Sequence, residues 1–483
     1  MIKKIFFSSE KRTILFLLVL GFILRLIYLF FFSPIFARAY LGMETIFFNG
    51  GDFGGSLISF KNLIYHGAYT VNLNNEMGYY SRMPGYSFFV GIITLLTGEP
   101  QNLYIISIIQ ILLDVYSIYL IYKIGKNIWN ETTGIILGFL YATHPIIILW
   151  CPVLMSDSLG SLCSLLTLYF YSKSESKYKW FWVGLSIGFG TLIRPQTILT
   201  IPIIGLIELI YQRKKIVYFL KCMSIMGITI LFTYGLYPMR NYFFHHKIIL
   251  FQDLRGSGGV WNDATVNYMH YIYSVQSKWD PAWTNIMRNE KFTVDKAAFA
   301  VSGDSAILMA TIYKAQNCSY AFSCWSGYWQ GHRLSPNDTA CDVEIANTFA
   351  LLRDHQIKQN AYHYWVTLPL ENLTKCFFKS QLSTSRTQSP MLKLVPIIFF
   401  YRTILLLIGL FACIWILLKM KLDKKPFLFI LINFLGWYFL ICFGTMPQLR
   451  NIEMRYLLPV DVLLLIPAAV IIQIIFLKLN PKH

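Results

Sequence analysis

The sequence predicts an all-α polytopic membrane protein, with interfacial helices and a small extracytoplasmic mixed domain. Three observations carry that expectation. Hydrophobic residues make up 55 % of the 483 residues and charged residues only 14 %, where a soluble domain carries about 25 % charged. The mean hydropathy is +0.50. Long apolar runs recur from residue 13 to residue 478. Together these exclude an ordinary soluble enzyme, a disordered chain and a single-span anchored domain. The net charge of +18 comes from 42 Lys and Arg against 24 Asp and Glu. The excess gathers in short loops between spans, as the positive-inside bias requires. No basic stripe interleaved with aromatics points to nucleic acid.

The first run, Thr13–Pro34, is longer than a signal-peptide core, and Lys3, Lys4, Lys11 and Arg12 before it place the N-terminus in the cytoplasm. Arg25 lies inside this span and is expected to face protein or water, because a charge in lipid is costly. Further apolar runs cover 102–123, 131–150, 153–172, 178–194, 196–212, 215–238, 392–418, 426–446 and 456–478. Basic residues at Lys123 and Lys126, Lys173–Lys179, Arg213–Lys215, Lys419–Lys425 and Lys478–Lys482 mark inner loops, which gives ten spans with both termini inside. Met83–Gly98 is also apolar. As a helix it would reach only about 24 Å, short of the roughly 30 Å hydrocarbon core. It therefore reads as a re-entrant or interfacial helix. Counting it gives eleven spans and turns the Lys clusters outward.

Three parts follow. Residues 1–238 form an N-terminal transmembrane catalytic module whose outer loop, 37–101, holds the interfacial helices. Residues 239–391 form an extracytoplasmic domain, and 392–483 are C-terminal transmembrane helices. Four of the nine cysteines, Cys318, Cys324, Cys341 and Cys376, fall in the extracytoplasmic part. In an oxidising compartment they can form two disulfides, in any of three pairings.

The residues suited to chemistry lie on the outer side. Asp52 sits among glycines in Asn49–Gly55, ahead of Phe53, Leu57, Phe60 and Ile64 at helical spacing, a face expected to lie on the membrane. A carboxylate held there can act as a general base on a hydroxyl, or simply cap a helix. Arg82 opens the 83–98 helix and can hold a lipid phosphate or snorkel to bulk headgroups. Asp157 ends the Pro145–Asp157 hairpin near the outer boundary, where an acid is a functional candidate. Arg194-Pro195, Arg240 and the pair Glu453 and Arg455 mark further outer turns. Several cations and carboxylates on one face suit an anionic lipid headgroup and an activated hydroxyl.

These stretches, taken in order, resemble the C-type superfamily (GT-C) of integral membrane glycosyltransferases, nearest the family 39 protein O-mannosyltransferases and the lipid A aminoarabinose transferases. The matching pieces are Gly21–Arg25, Asp52, Arg82–Tyr86, Pro145–Asp157, the Gly184-x3-Gly188-x-Gly190-x3-Arg194-Pro195 hairpin, Arg240–Tyr242 and Glu453–Pro459. The resemblance spans almost the whole chain. It implies a fold of about ten transmembrane helices and a polyprenyl-phosphate-linked sugar as donor. It implies Asp52 as catalytic base, with inversion, and Asp157 as the second acid. Arg82, Arg194 and Arg455 would bind the donor phosphate, while Tyr86, Glu453 and Arg240 would contact substrate. The acceptor would be a glycolipid such as lipopolysaccharide, another envelope glycan, or protein. Met83-Pro84 stands where the family often has two prolines, and Ser81-Arg82 where the aminoarabinose enzymes have an acid-base pair, so neither sugar nor acceptor is set.

No metal motif is visible, although carboxylates at the site could recruit a divalent metal. The expected setting is a bacterial inner membrane with the site facing the periplasm. Three other classes stand beside the transferase. A lipid-linked glycan transporter or flippase would need polar residues and broken helices near mid-membrane. An O-antigen-type polymerase or ligase uses a similar donor but does not need the early Asp52 loop. A non-catalytic receptor built on 240–390 is the third alternative.

Overall fold

The computed structural model describes residues 10–34, 52–74, 76–98, 102–173, 176, 178–253, 255, 261–276, 299–322, 339–378, 395–443 and 454–479. Their regular elements are helices. In chain order these begin with α1 (Glu10–Ile27, continued by a π turn to Phe32), α2 (Asp52–His66), α3 (Pro84–Thr97) and α4 (Asn102–Ile128). Next come α5 (Glu131–Ala142), α6 (Pro145–Trp150), α7 (Asp157–Ser172) and α8 (Lys179–Ile193). A 3₁₀ turn, Pro195–Leu199, leads into α9 (Thr200–Gln212), α10 (Ile216–Thr233) and α11 (Leu236–His245). The 239–391 segment holds α12 (Asp263–Val275), α13 (Asp304–Cys318) and α14 (Thr339–Gln359), and then α15 (Leu368–Phe378), which returns to the bundle. The chain closes with α16 (Val395–Lys419), α17 (Lys424–Phe443) and α18 (Leu458–Leu479). Among the described residues there is no strand, so the outer domain is helical where it is described.

Among the described residues, seven segments have the length and apolarity to cross a bilayer: 10–32, 103–128, 195–212, 216–233, 396–419, 424–443 and 455–478. The other three expected spans are shorter. The run 131–150 breaks between α5 and α6 at His144, which is extended before Pro145 (φ −68°, ψ 114°). Proline removes an N–H and steers the preceding residue away from helix. The run 153–172 becomes helical only at Asp157, and 178–194 yields α8 of 15 residues. The outer ends of these spans are given over to irregular chain, and that chain builds the site.

At the centre, α18 packs on α16, α5 and α7, while α4 packs on α1, α5 and α7. From Leu457 to Val470 almost every α18 side chain is buried, as befits a helix that is apolar all round. Glycines set the closest crossings. A Cβ on Gly184 would stand 2.7 Å from the Met226 carbonyl oxygen, so α8 lies directly against α10. Arg25 is fully buried, as its place in the span implies. It donates to Asp114 Oδ2 at 2.5 Å and to the Ala142 carbonyl at 3.1 Å, and Tyr141 Oη donates to Asp114 Oδ1 at 2.7 Å. A second buried pair joins Arg402 and Asp461, with Tyr438 donating to Asp461 at 2.9 Å. Charges inside the bundle are thus paired and hydrogen-bonded.

The basic ends of the helices meet at one end of the bundle. Glu10 bridges Lys123 (2.9 Å) and Lys126 (2.6 Å), and Glu208 bridges Lys425 (3.0 Å) and accepts from Tyr171 (2.9 Å). From that end α7 runs to Asp157 and α8 to Arg194, so these two residues stand at the opposite end.

Two further expectations are corrected. The apolar face of α2 does not lie on lipid over its length. Phe53, Leu57 and Phe60 are buried, with α2 packed on α3, and only Ile64 is exposed. Cys318 pairs with Cys341, tying α13 to α14. Cys376, however, is a free, buried thiol of α15, which packs on α17 in the membrane part. The two-disulfide framework therefore does not form with it, and Cys324 lies outside the described residues.

Candidate active site

The site is a cavity of about 160 Å³ whose lining includes Ser56, Arg82, Tyr86, Asp157, Arg194 and Arg455. Five predicted site residues therefore meet from four separate stretches of sequence. Each arrives for a local reason. Arg82 precedes Pro84, which opens α3 at a position where a missing N–H costs nothing. Gly85 then lets α3 touch the end of α8: a Cβ there would stand 2.7 Å from the Leu192 carbonyl carbon. That contact brings Arg82 beside Arg194. Gly55 leaves room for the Arg82 guanidinium, since a Cβ at Gly55 would lie 2.9 Å from Arg82 Nε.

Asp157 is held by α4. Gln110 Nε2 donates to the Cys151 and Val153 carbonyls at 3.1 and 2.8 Å, and Ser107 Oγ donates to the Pro152 carbonyl at 2.8 Å. These bonds fix the irregular segment 151–156 that delivers Asp157. Tyr86 lines the cavity, while its hydroxyl donates to Gln110 Oε1 at 3.0 Å and completes this brace.

Asp157 and Arg194 form an ion pair, both nearly buried, through Oδ1 and Nη2. Gly160 passes under the Arg194 side chain, where a Cβ would stand 3.0 Å from Cδ. Tyr456 is shared between two cations. The Arg194 and Arg455 guanidinium carbons lie 5.5 and 5.1 Å from its ring centroid, within cation–π range. The Tyr456 carbonyl accepts from Trp437 Nε1 at 2.8 Å, which ties this turn to α17. Asp157 Oδ2 and Gln196 Oε1 are buried and make no hydrogen bond among the described residues. The lining thus holds three cations and two acceptors that retain capacity.

Asp52 is the first residue of α2. Ser56, one turn later on that helix, lines the cavity. Arg240 stands outside the lining. Its guanidinium donates to the Tyr69 and Tyr79 carbonyls at 2.9 Å each, clamping the first outer loop. Beside it the His245 ring meets Tyr79 in a tilted contact, with centroids 4.4 Å apart. Burial, then the nearby Arg240 charge, hold the His245 pKa below its ordinary value. Glu453 lies outside the described residues.

Sequence reasoning did not select Ser56, Gln196, Gln252 or Tyr456. Gln196 and Tyr456 adjoin selected arginines, so motif extension would have reached them. Gln252 carries no local signal. It arrives because the Asp253 N–H donates to the Tyr80 carbonyl at 2.8 Å. Burial would raise the Asp253 carboxyl, but hydrogen bonds from Arg255 hold it below the usual carboxylate range.

Residues 81–237 match the family model described as dolichyl-phosphate-mannose-protein mannosyltransferase. Solved structures of the Archaeoglobus fulgidus oligosaccharyltransferase share the fold. The apo form gives a TM-score of 0.51 at 12 % identity, covering 98 % of this chain and 51 % of that one. A form tethered with an acceptor peptide containing the NVT sequon gives 0.51 at 13 % identity, covering 98 % and 50 %. A looser likeness, with a TM-score of 0.39 at 12 % identity over 96 % and 78 %, is to ArnT from Cupriavidus metallidurans bound to undecaprenyl phosphate. A search of curated proteins finds no match. The chain spans about half the length of the archaeal structures. Over its described residues the chain is thus an all-helical, multi-pass membrane fold of the kind seen in that oligosaccharyltransferase. The family match covers residues 81–237, and Arg82, Tyr86, Asp157 and Arg194 of the cavity lining fall within it.

Proposed function

We propose that this chain moves a sugar from a polyprenyl-phosphate donor to a hydroxyl acceptor, with inversion, at the extracytoplasmic face. One observation carries the reading: Arg82, Arg194 and Arg455 converge with Asp157 on one cavity. The family description over 81–237 names a dolichyl-phosphate-linked mannose, a donor of the same chemistry. In the reaction the acceptor oxygen attacks the anomeric carbon and its proton passes to the Asp52 carboxylate. The bond from that carbon to the phosphate oxygen breaks, and the electron pair leaves on the phosphate. Three guanidinium groups at that position stabilise the developing charge, so the leaving group needs no proton. Asp157 holds Arg194 in place. The Lys-rich ends lie at the opposite end of α7 and α8, which supports a site on the periplasmic side of a bacterial inner membrane. The acceptor is an envelope glycolipid, a glycan or a protein hydroxyl.

The test is donor turnover by wild type and Asp52→Asn in nanodiscs. Undecaprenyl- and dolichyl-phosphate sugars are offered with envelope extract, and release of free polyprenyl phosphate is followed. Wild type is expected to release it, and Asp52→Asn to bind donor yet release it at least a hundredfold more slowly, in the range general-base removal produces. Equal release by both removes Asp52 from the chemistry. Binding and translocation without cleavage would favour a flippase.

A further inference from the structure

The three arginines account for a phosphate but not for the rest of the cavity wall. Opposite chemistry remains there. Asp157 is 1 % exposed, and its Oδ1 takes Arg194 while its Oδ2 accepts no hydrogen bond among the described residues. Gln196 Oε1 is likewise buried without a hydrogen bond among the described residues, and Gln196 lines the same cavity. Buried acceptors left unpaired are costly, and they mark places where a ligand donates. The phosphodiester of a polyprenyl-phosphate sugar has no proton to offer them at neutral pH. A sugar bears several hydroxyl donors. The ligand that satisfies the whole wall therefore carries an anion and hydroxyls together.

Gln196 is also held rigidly. Pro195 fixes the backbone immediately before it, and the Thr197 N–H closes the turn on the Arg194 carbonyl at 3.0 Å. The turn seats on α8 because position 190 is glycine, where a Cβ would meet Thr197 Cγ2 at 2.7 Å. An amide on such a support can accept from a hydroxyl through its oxygen and donate through its nitrogen, with its position set by the fold.

We infer that Gln196 determines donor specificity: its amide, in the same cavity wall as Asp157, reads a hydroxyl of the sugar while the arginines hold the phosphate. The inference rests on the functional reading above and adds the residue that distinguishes one sugar from another. A site built to bond a hydroxyl rejects the analogue that lacks it more strongly than an apolar site does.

The experiment measures binding to the full chain in nanodiscs. The probes are undecaprenyl phosphate without sugar and undecaprenyl-phosphate sugars, including deoxy analogues. Wild type, Gln196→Ala and Gln196→Met are compared, Met being close in length and unbranched. Wild type is expected to prefer one sugar-bearing lipid over undecaprenyl phosphate by about tenfold or more, and to lose that preference for one deoxy analogue. Both variants should bind undecaprenyl phosphate within about twofold of wild type and treat the parent and deoxy donors alike. A preference unchanged in both variants overturns the inference and leaves the transferase reading intact. Loss of undecaprenyl phosphate binding in both variants also overturns it, because Gln196 would then support the fold. If wild type binds none of the lipids, the functional reading falls first and this inference falls with it.

Discussion

Asp157 and Arg194 illustrate why a buried pair must be tested as a pair. Both are almost fully inside the protein. Replacing Asp157 by Ala leaves a buried guanidinium without its counter-charge, a change that costs about 3–5 kcal/mol. Asp157→Ala is therefore expected to melt well below wild type. Replacing both, as Asp157→Ala with Arg194→Met, should recover most of the lost stability and none of the polyprenyl-phosphate binding. Thermal melting and lipid affinity on the three proteins separate the two contributions. A double variant that melts as low as Asp157→Ala would show that the charge imbalance is not the cause. Arg240 makes a different point at this scale. Its sequence context matched the other outer arginines, yet its guanidinium serves backbone carbonyls of Tyr69 and Tyr79. An arginine at a membrane boundary cannot be assigned to ligand or to structure until its neighbours are known.

Helix crossings place these residues. The contact of α3 with α8 depends on Gly85, whose hydrogen faces the Leu192 backbone. Gly85→Ala has to push the helices apart, because the atoms it meets belong to the main chain. The expected cost is about 1–3 kcal/mol, typical of overpacking, with weaker polyprenyl-phosphate binding as Arg82 moves from Arg194. Gly205→Ala in α9 is the control, since nothing lies within 4 Å of a Cβ there. A gain in helix propensity should leave it at or slightly above wild-type stability. If Gly85→Ala melts and binds like Gly205→Ala, the crossing does not need glycine. The three glycines of the 184–190 motif divide similar work: Gly184 and Gly188 meet α10, and Gly190 meets the Pro195–Leu199 turn. Their spacing was readable as a motif, but what each glycine touches was not.

Taken whole, the molecule is a membrane bundle with an outer helical layer. Within that layer α12 packs on α14 and α13 on α14 around Tyr268, Phe322 and Phe349. The Cys318–Cys341 bond closes this layer over a separation of 23 residues. A closure of that length stabilises by about 3 kcal/mol in the chain-entropy account. Cys318→Ser with Cys341→Ser should thus speed hydrogen exchange in α13 and α14 while leaving exchange in α16–α18 unchanged. Equal loosening of both regions would mean that the layer and the bundle unfold as one.

Composition and hydropathy by themselves determined the membrane class, and the spacing of charges set the expected order of spans and the expected side of the site. These are properties of the local chain, since the bilayer acts as a solvent and sorts each segment by its own apolar length. The same local reasoning selected Arg82, Tyr86, Asp157, Arg194 and Arg455, because a charged or aromatic group at an apolar boundary is conspicuous wherever it occurs. Tertiary structure alone decided that these five share one cavity, that Gln196 and Tyr456 join them, and that Arg240 does not. It also decided that the α2 face packs on protein, and that Cys376 belongs to the bundle. Each of these outcomes depends on which backbones can approach one another, and that is set by small residues and buried partners far away in sequence.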